Sequence, residues 1–197
     1  MPKQLQYILE NEIKIYTTKD LISYGFSRYA IEQMVKDGIL KKLSSSAYEN
    51  NNYIGKENDF YYVLPFVSNG VICLLSAAVY HGLSNYWPKE IDVAVIKDKK
   101  INSLPSCPNI NIFHFGKDRY ETGIQQINEN GNKYLIYDVE KTVVDILYFR
   151  NRIGVEETKE ILLNYLNRKD RNINKLYRYA EKMHCVKILK TYLEVLI

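Results

Sequence analysis

Between positions 16 and 48 the apolar residues recur twice at helical spacing and then switch to strand-like runs broken by serines. Thr17 is placed to cap a short helix, Thr18-Lys19-Asp20-Leu21-Ile22, with an acid at its third position, and Tyr24-Gly25 supplies a turn. Ser27 is placed to cap a second helix. At about 100° per residue, Ala30, Ile31, Met34 and Val35 fall on one side of Arg28 to Asp37, while Tyr29, Glu32, Gln33 and Lys36 share the other. Gly38 ends that helix. Ile39 to Leu43, then Ser44-Ser45-Ser46, then Ala47-Tyr48 read as strand, turn and strand. Leu5, Ile8 and Leu9 form an apolar stripe on a helix upstream, to which Leu21, Ile31, Met34, Leu40 and Leu43 add a small core. This order predicts a winged helix-turn-helix, with Tyr29, Glu32, Gln33 and Lys36 facing out and the hairpin as the wing.

Polar residues interrupt the apolar pattern at Glu49 to Asp59, which marks a joint between a domain over residues 1–52 and a larger one over residues 57–197. Beyond the joint, Tyr61 to Leu64 and Gly70 to Leu75 are apolar runs, and Ser76 to Leu83 reads as a short helix closed by Gly82. Ile91 to Ile96 and Ile110 to Phe115 have the β-branched and aromatic content of strands, with Lys97 to Pro108 between them; Tyr120 to Ile124 and Tyr134 to Ile136 are further strand candidates. From Asp138, read as a cap, the pattern is helical: Val139 to Phe149, Val155 to Asn167, Asn174 to Met183 and Val186 to Ile197. The expected class is α+β, a winged helix-turn-helix followed by a small sheet and a helical C-terminal half.

Composition narrows the function classes. A hydrophobic content of 46% argues for a folded chain. No apolar run approaches the roughly 18 to 20 residues of a membrane span, and no basic-then-apolar leader opens the sequence, so a cytoplasmic protein is expected. Cys73, Cys107 and Cys185 lack metal-ligand spacing and are read as reduced and structural. The net charge of +4 is unevenly placed. Arg168 to Lys190 holds eight basic residues against Asp170 and Glu181, a local excess of 8 − 2 = 6. Lys175, Arg178 and Lys182 make a basic stripe opposite Leu176, Tyr179, Ala180 and Met183, and with Arg168, Lys169 and Arg171 they form a candidate second nucleic-acid surface, or else a solvated face.

The outward face of the second helix carries donors for bases or phosphates, and Lys41-Lys42 stand at the root of the hairpin; Glu32, in the middle of that face, repels phosphate. The same shape also serves as a packing unit for protein contacts. An enzyme reading rests on Asp92 with Asp138-Val139-Glu140-Lys141 as a metal-dependent nuclease site. The spacing opposes it, because an acid and a lysine must be two apart to share a strand face. A helix start explains that cluster better. His81, His114 and His184 have no ligand or triad spacing, and Asp145 on an apolar helix face is expected to pair with Arg150, Arg152 or a backbone group. No catalytic residue, metal or cofactor is expected. A ligand-sensing regulator, with some of the eighteen tyrosines lining a pocket, is the alternative reading.

Three stretches carry a family resemblance: Gly25-Phe26-Ser27 with Asp37-Gly38-Ile39-Leu40; Leu75 to Ser84 running through Trp87-Pro88 into Ile91 to Val95; and Tyr137 to Leu147 with Arg150 and Gly154. In order and spacing they resemble the AbiEi family, antitoxins of type IV toxin-antitoxin systems linked to bacterial abortive infection of phage. The resemblance implies a transcriptional autorepressor whose winged domain binds inverted repeats upstream of its own operon. It also implies an antitoxin domain that counteracts a nucleotidyltransferase toxin without a stable complex. Carried onto this sequence, the DNA-contact set is Thr18, Lys19, Ser27, Arg28, Tyr29, Gln33, Lys36, Lys41 and Lys42. Arg28, Tyr29, Gln33 and Lys36 would read bases; Thr18, Lys19, Lys41 and Lys42 would hold phosphates. At the wing tip the sequence departs from the family, with Ser46-Ala47-Tyr48 where a glycine often precedes the tyrosine, so a turn of different shape is expected.

Overall fold

The computed structural model describes residues 13–196. It is an α+β protein made of two compact units. One comprises Met1–Asn69, Ile101–Pro108 and Ile127–Tyr134, the other Gly70–Lys100, Asn109–Gln126 and Leu135–Ile197. The helix expected around Leu5, Ile8 and Leu9 lies outside the described residues.

In the first unit, β1 (Ile15–Thr17) leads directly into α1 (Thr18–Ser23), and a turn leads to α2 (Arg28–Lys36). The hairpin β2 (Leu40–Lys42) and β3 (Ala47–Asn50) follows. The three strands form one antiparallel sheet in the order β1-β3-β2, with Tyr16 opposite Tyr48 and Lys41 opposite Glu49. β1 is too short to be visible as a periodic run in the sequence. Tyr16, Leu21, Phe26, Ile31, Met34, Leu40 and Tyr48 make the core, so Leu21, Ile31, Met34 and Leu40 pack as expected, whereas Leu43 stays half-buried outside that cluster. After the hairpin the chain makes a 3-10 turn (Asp59–Tyr62) and α3 (Val63–Phe66). Here the Glu129 carboxylate accepts from the hydroxyls of Tyr61 (2.7 Å) and Tyr134 (2.7 Å) and from Asn58 Nδ2 (3.4 Å).

The larger sheet has the order β6-β5-β4-β8-β7, with β4 (Val71–Ile72), β5 (Ile91–Ile96), β6 (Ile110–Phe115), β7 (Ile124–Glu129) and β8 (Asn132–Tyr137). β4 pairs antiparallel with β5 and parallel with β8, and β5 and β6 are parallel. The short α4 (Leu74–Tyr80) follows β4 after a single residue, and Gly82 closes its end at φ +67°. The expected strand at Tyr120 to Ile124 is instead α5 (Lys117–Glu121), with the strand starting only at Ile124. Gly116 opens that helix, and Gly123 at φ +77° separates it from β7 in a position where a Cβ would strike Lys141.

In the C-terminal half α6 (Val139–Tyr148), α8 (Val155–Leu166), α9 (Ile173–Lys182) and α10 (Val186–Leu196) follow the predicted pattern, and a short helix that was not expected, α7 (Arg150–Ile153), lies between α6 and α8. α6 is the central helix, packed against α4, α8, α9 and α10, and it is buried continuously from Glu140 to Leu147. Burying so many polar groups requires partners, and each has them. Asp138 caps the helix by accepting from Lys141 N (2.9 Å) and also accepts from Tyr179 Oη (3.1 Å) and Lys175 Nζ (3.1 Å). Glu140 takes Lys175 Nζ (3.0 Å) and Asn172 N (3.1 Å). Asp145 pairs with Lys141 on its own helix and with Arg119 of α5, not with Arg150 or Arg152 as the sequence suggests. The reason is direction: Lys141 lies one turn back on the same face, while Arg119 comes from a distant segment that no local spacing reveals.

Candidate nucleic-acid interface

Local chemistry fixes the geometry of α1 and α2. Thr17 and Asp20 form a complete capping box: Thr17 Oγ1 accepts from Asp20 N (3.1 Å) and the Asp20 carboxylate accepts from Thr17 N (2.8 Å). α1 closes through Gly25 N to Ile22 O (2.9 Å) and Phe26 N to Leu21 O (3.1 Å), with Gly25 at φ +90°. A side chain at position 25 would be strained there. Buried Phe26 then anchors the turn, and Ser27 Oγ caps α2 by accepting from Ala30 N (3.1 Å). Gly38 at φ +72° ends α2 and sends the chain into β2, with Ile39 N bonded to Met34 O at 2.9 Å.

The apolar side of α2 is turned in: Ile31 and Met34 are buried, Ala30 and Val35 half-buried. Arg28, Tyr29, Glu32 and Lys36 are exposed and Gln33 is half-buried. Tyr29, at 71% exposure, is a large aromatic with no packing role, so its ring is presented to whatever approaches this face. Lys19, Lys41 and Lys42 are also exposed. Thr18 is placed differently: its hydroxyl oxygen is covered and makes no hydrogen bond, although its N–H donates to Ser46 O (2.9 Å) and so ties the hairpin turn to the start of α1. Ser27 remains exposed while it caps.

The hairpin turn closes without any left-handed residue between Leu43 and Ala47. Ser44 Oγ accepts from Ser46 N (3.2 Å) and Ala47 N (3.1 Å), and Leu43 N donates to Ala47 O (2.9 Å). A serine-mediated turn therefore does here what a glycine would do through backbone freedom. At the hairpin root Lys41 Nζ lies 3.5 Å from Glu49, whose other partners are Lys14 Nζ (3.0 Å) and Tyr62 Oη (2.8 Å). Burial would raise the Glu49 carboxyl, but the bonds from Tyr62 and Lys14 outweigh it and hold it below its ordinary value. Because Glu49 is already satisfied, Lys41, 65% exposed, is held only by a weak surface pair and can turn toward another anion. Over residues 17–48 the exposed charges are Lys19, Arg28, Lys36, Lys41 and Lys42 against Asp20, Glu32 and Asp37, a net of 5 − 3 = +2.

The C-terminal basic residues are not one free stripe. Lys175 is tied to Asp138 and Glu140, and Arg168 is bound to Asp170 and donates to His81 O (2.6 Å). Lys169, Arg171, Arg178 and Lys182 are exposed. Burial would lower Lys175, yet bonds from both carboxylates hold its ammonium above the ordinary lysine value. The signal the sequence lacked was long-range: Asp138 and Glu140 lie 37 and 35 positions before Lys175. His81 bonds Tyr137 O (2.7 Å), His114 bonds Lys97 O (3.0 Å), and His184 is exposed. Cys73 and Cys185 are buried, but Cys107 is exposed and so does not pack as a structural cysteine. Among the described residues no helix is long and apolar enough to cross a membrane, and no group of His, Cys, Asp and Glu has the arrangement of a metal site.

No protein-family model matches the sequence, and no curated protein does. Among solved structures, the chain is similar to the crystal structure of the RV2827C protein from Mycobacterium tuberculosis, at 12% identity and a TM-score of 0.47, over 94% of this chain and 78% of that one. A likeness this low carries no argument about function.

Proposed function

We propose that the protein is a DNA-binding transcriptional autorepressor and antitoxin of a type IV toxin-antitoxin system, acting in the cytoplasm. In this reading residues 1–52 are a winged helix-turn-helix domain with α2 as the recognition helix and the β2–β3 hairpin as the wing. The observation that carries it is the outward face of α2, where Arg28, Tyr29 and Lys36 are exposed beside a hairpin presenting Lys41 and Lys42, while the opposite face is locked into a core. Arg28, Tyr29, Gln33 and Lys36 would read bases, and Lys19, Ser27, Lys41 and Lys42 would contact phosphate. Thr18 contributes through its backbone rather than its covered hydroxyl. Residues 57–197 form the antitoxin domain, which counteracts a nucleotidyltransferase toxin without a stable complex. This second role rests on the resemblance of Leu75 to Val95 and Tyr137 to Leu147 to the AbiEi family.

A gel-shift titration against the protein's own upstream region and a scrambled control, at two salt concentrations, tests the DNA reading. Selective binding to the upstream DNA is expected. Arg28→Ala combined with Lys36→Ala should weaken it by about 1 to 3 kcal/mol for each contact that reads a base. Equal, salt-erased binding to both probes would overturn the repressor reading.

A further inference from the structure

Glu32 is the residue on the outward face of α2 that the DNA-binding reading leaves without a task. It lies midway along the helix, exposed, with Arg28 one turn before it and Lys36 one turn after. A spacing of four positions suits ion pairs along a helix, yet among the described residues no ion pair joins Glu32 to either cation. Its place on the face is set by the packing of α2: Ile31 before it and Met34 after it are buried, Ser27 caps the start of the helix and Gly38 closes its end. The carboxylate is therefore carried at a set point of a rigid element.

A helix that meets DNA along this face brings Glu32 close to phosphates, which repel it. Arg28 and Lys36, roughly 6 Å along the axis to either side, offset that repulsion. Both are longer than glutamate and can reach outward from the flanks, whereas the shorter acid between them meets what lies directly beneath it, the floor of the major groove.

The chemistry of the groove floor then selects the base. A carboxylate only accepts hydrogen bonds. Guanine presents N7 and O6, and thymine presents O4 and a methyl group, so neither donates. Adenine donates from N6 but sets the N7 acceptor beside it, whose lone pair repels a carboxylate. Cytosine presents an amino donor with no acceptor of its own alongside. We infer that Glu32 is a specificity determinant of α2 and that the operator carries a cytosine beneath it, whose N4 amino group donates to the Glu32 carboxylate. This assignment rests on the DNA-binding reading and names the base chemistry of that same face.

Selection of duplexes from a randomised pool by the full chain, by Glu32→Ala and by Glu32→Gln tests it, followed by gel shifts on the selected site and its single-base variants. The position is exposed and both replacements are good helix formers, so folding is retained. The parent chain is expected to select sites with an invariant C·G pair and to lose about tenfold in affinity when that pair is replaced. Glu32→Ala should lose its preference at that pair alone and bind scrambled DNA more tightly, since a charge that repels phosphate is gone. Glu32→Gln should shift the preference there to A·T, because a carboxamide accepts from N6 and donates to N7. If the parent selects a site and Glu32→Ala keeps the same preference at every position, or loses it at a pair other than C·G, the inference is overturned while the DNA-binding reading stands. If the parent enriches no sequence, the DNA-binding reading fails and the inference falls with it.

Discussion

Asp145 lies fully buried between two cations, Lys141 on its own helix and Arg119 from α5, so the cluster carries one negative charge against two positive ones. This imbalance makes the two obvious truncations unequal. Lys141→Met keeps most of the side-chain volume, leaves Asp145 with Arg119 as a neutral pair, and removes an ammonium that burial, opposed by Asp145, holds below its ordinary pKa. Replacing a buried cation in this way should cost on the order of 1 kcal/mol or less, because the lost attraction is offset by the desolvation no longer incurred. Asp145→Asn keeps the shape but leaves two cations in the core with no carboxylate, and breaking a buried pair in this manner costs about 3 to 5 kcal/mol. Urea unfolding followed by circular dichroism reads both, with the midpoint interpreted only if the slope is unchanged. If Lys141→Met proves as destabilising as Asp145→Asn, the charge-balance argument is wrong and the Lys141–Asp145 pair acts as an indivisible unit.

The sequence was most informative where structure is set by neighbours. Thr17 and Asp20 as a capping box, Ser27 and Asp138 as caps, and Gly38 and Gly82 as helix ends were all legible, because capping depends on residues within four positions. The same logic gave the start of α6 correctly and removed Asp138-Val139-Glu140-Lys141 as a strand-borne metal site. Non-local pairing was not legible. β1 escaped because three residues carry no period, and α5 was read as strand because Tyr120 and its neighbours have strand propensity, although Gly116 and Gly123 bound a single helical turn. The basic stripe shows the same limit. Helical spacing grouped Lys175, Arg178 and Lys182, yet Lys175 alone is drawn to Asp138 and Glu140 by the packing of α9 on α6, together with Tyr179, while Arg178 and Lys182 stay exposed. The setting of Asp92 was equally invisible, since it meets Asn111 only through sheet register and Leu75 only through the start of α4.

Lys175→Met should lower stability by about 1 to 3 kcal/mol in urea unfolding, since it leaves two mostly buried carboxylates short of a cation. Arg178→Ala and Lys182→Ala, on exposed positions, should change it by roughly 0.5 kcal/mol or less, and equal effects at all three sites would show that Lys175 is merely a surface charge. The pH dependence of stability turns on Asp92, whose carboxyl is raised from 3.8 to about 6, chiefly by burial. In the folded chain Asp92 holds its proton more tightly than in the unfolded one, so its contribution is fully present below about pH 4. As pH rises the unfolded chain ionises first, and stability falls until the folded carboxyl has also lost its proton near pH 6; above that the loss is complete. The rise corresponds to on the order of 3 kcal/mol. Stability measured from pH 4 to pH 7 in Asp92→Asn, relative to the parent chain, should therefore show the variant gaining ground as pH rises, whatever its constant offset from altered hydrogen bonding. A pH-independent difference between the two would mean that Asp92 titrates normally, and that its hydrogen bonds from Asn111 and Leu75 N offset its burial.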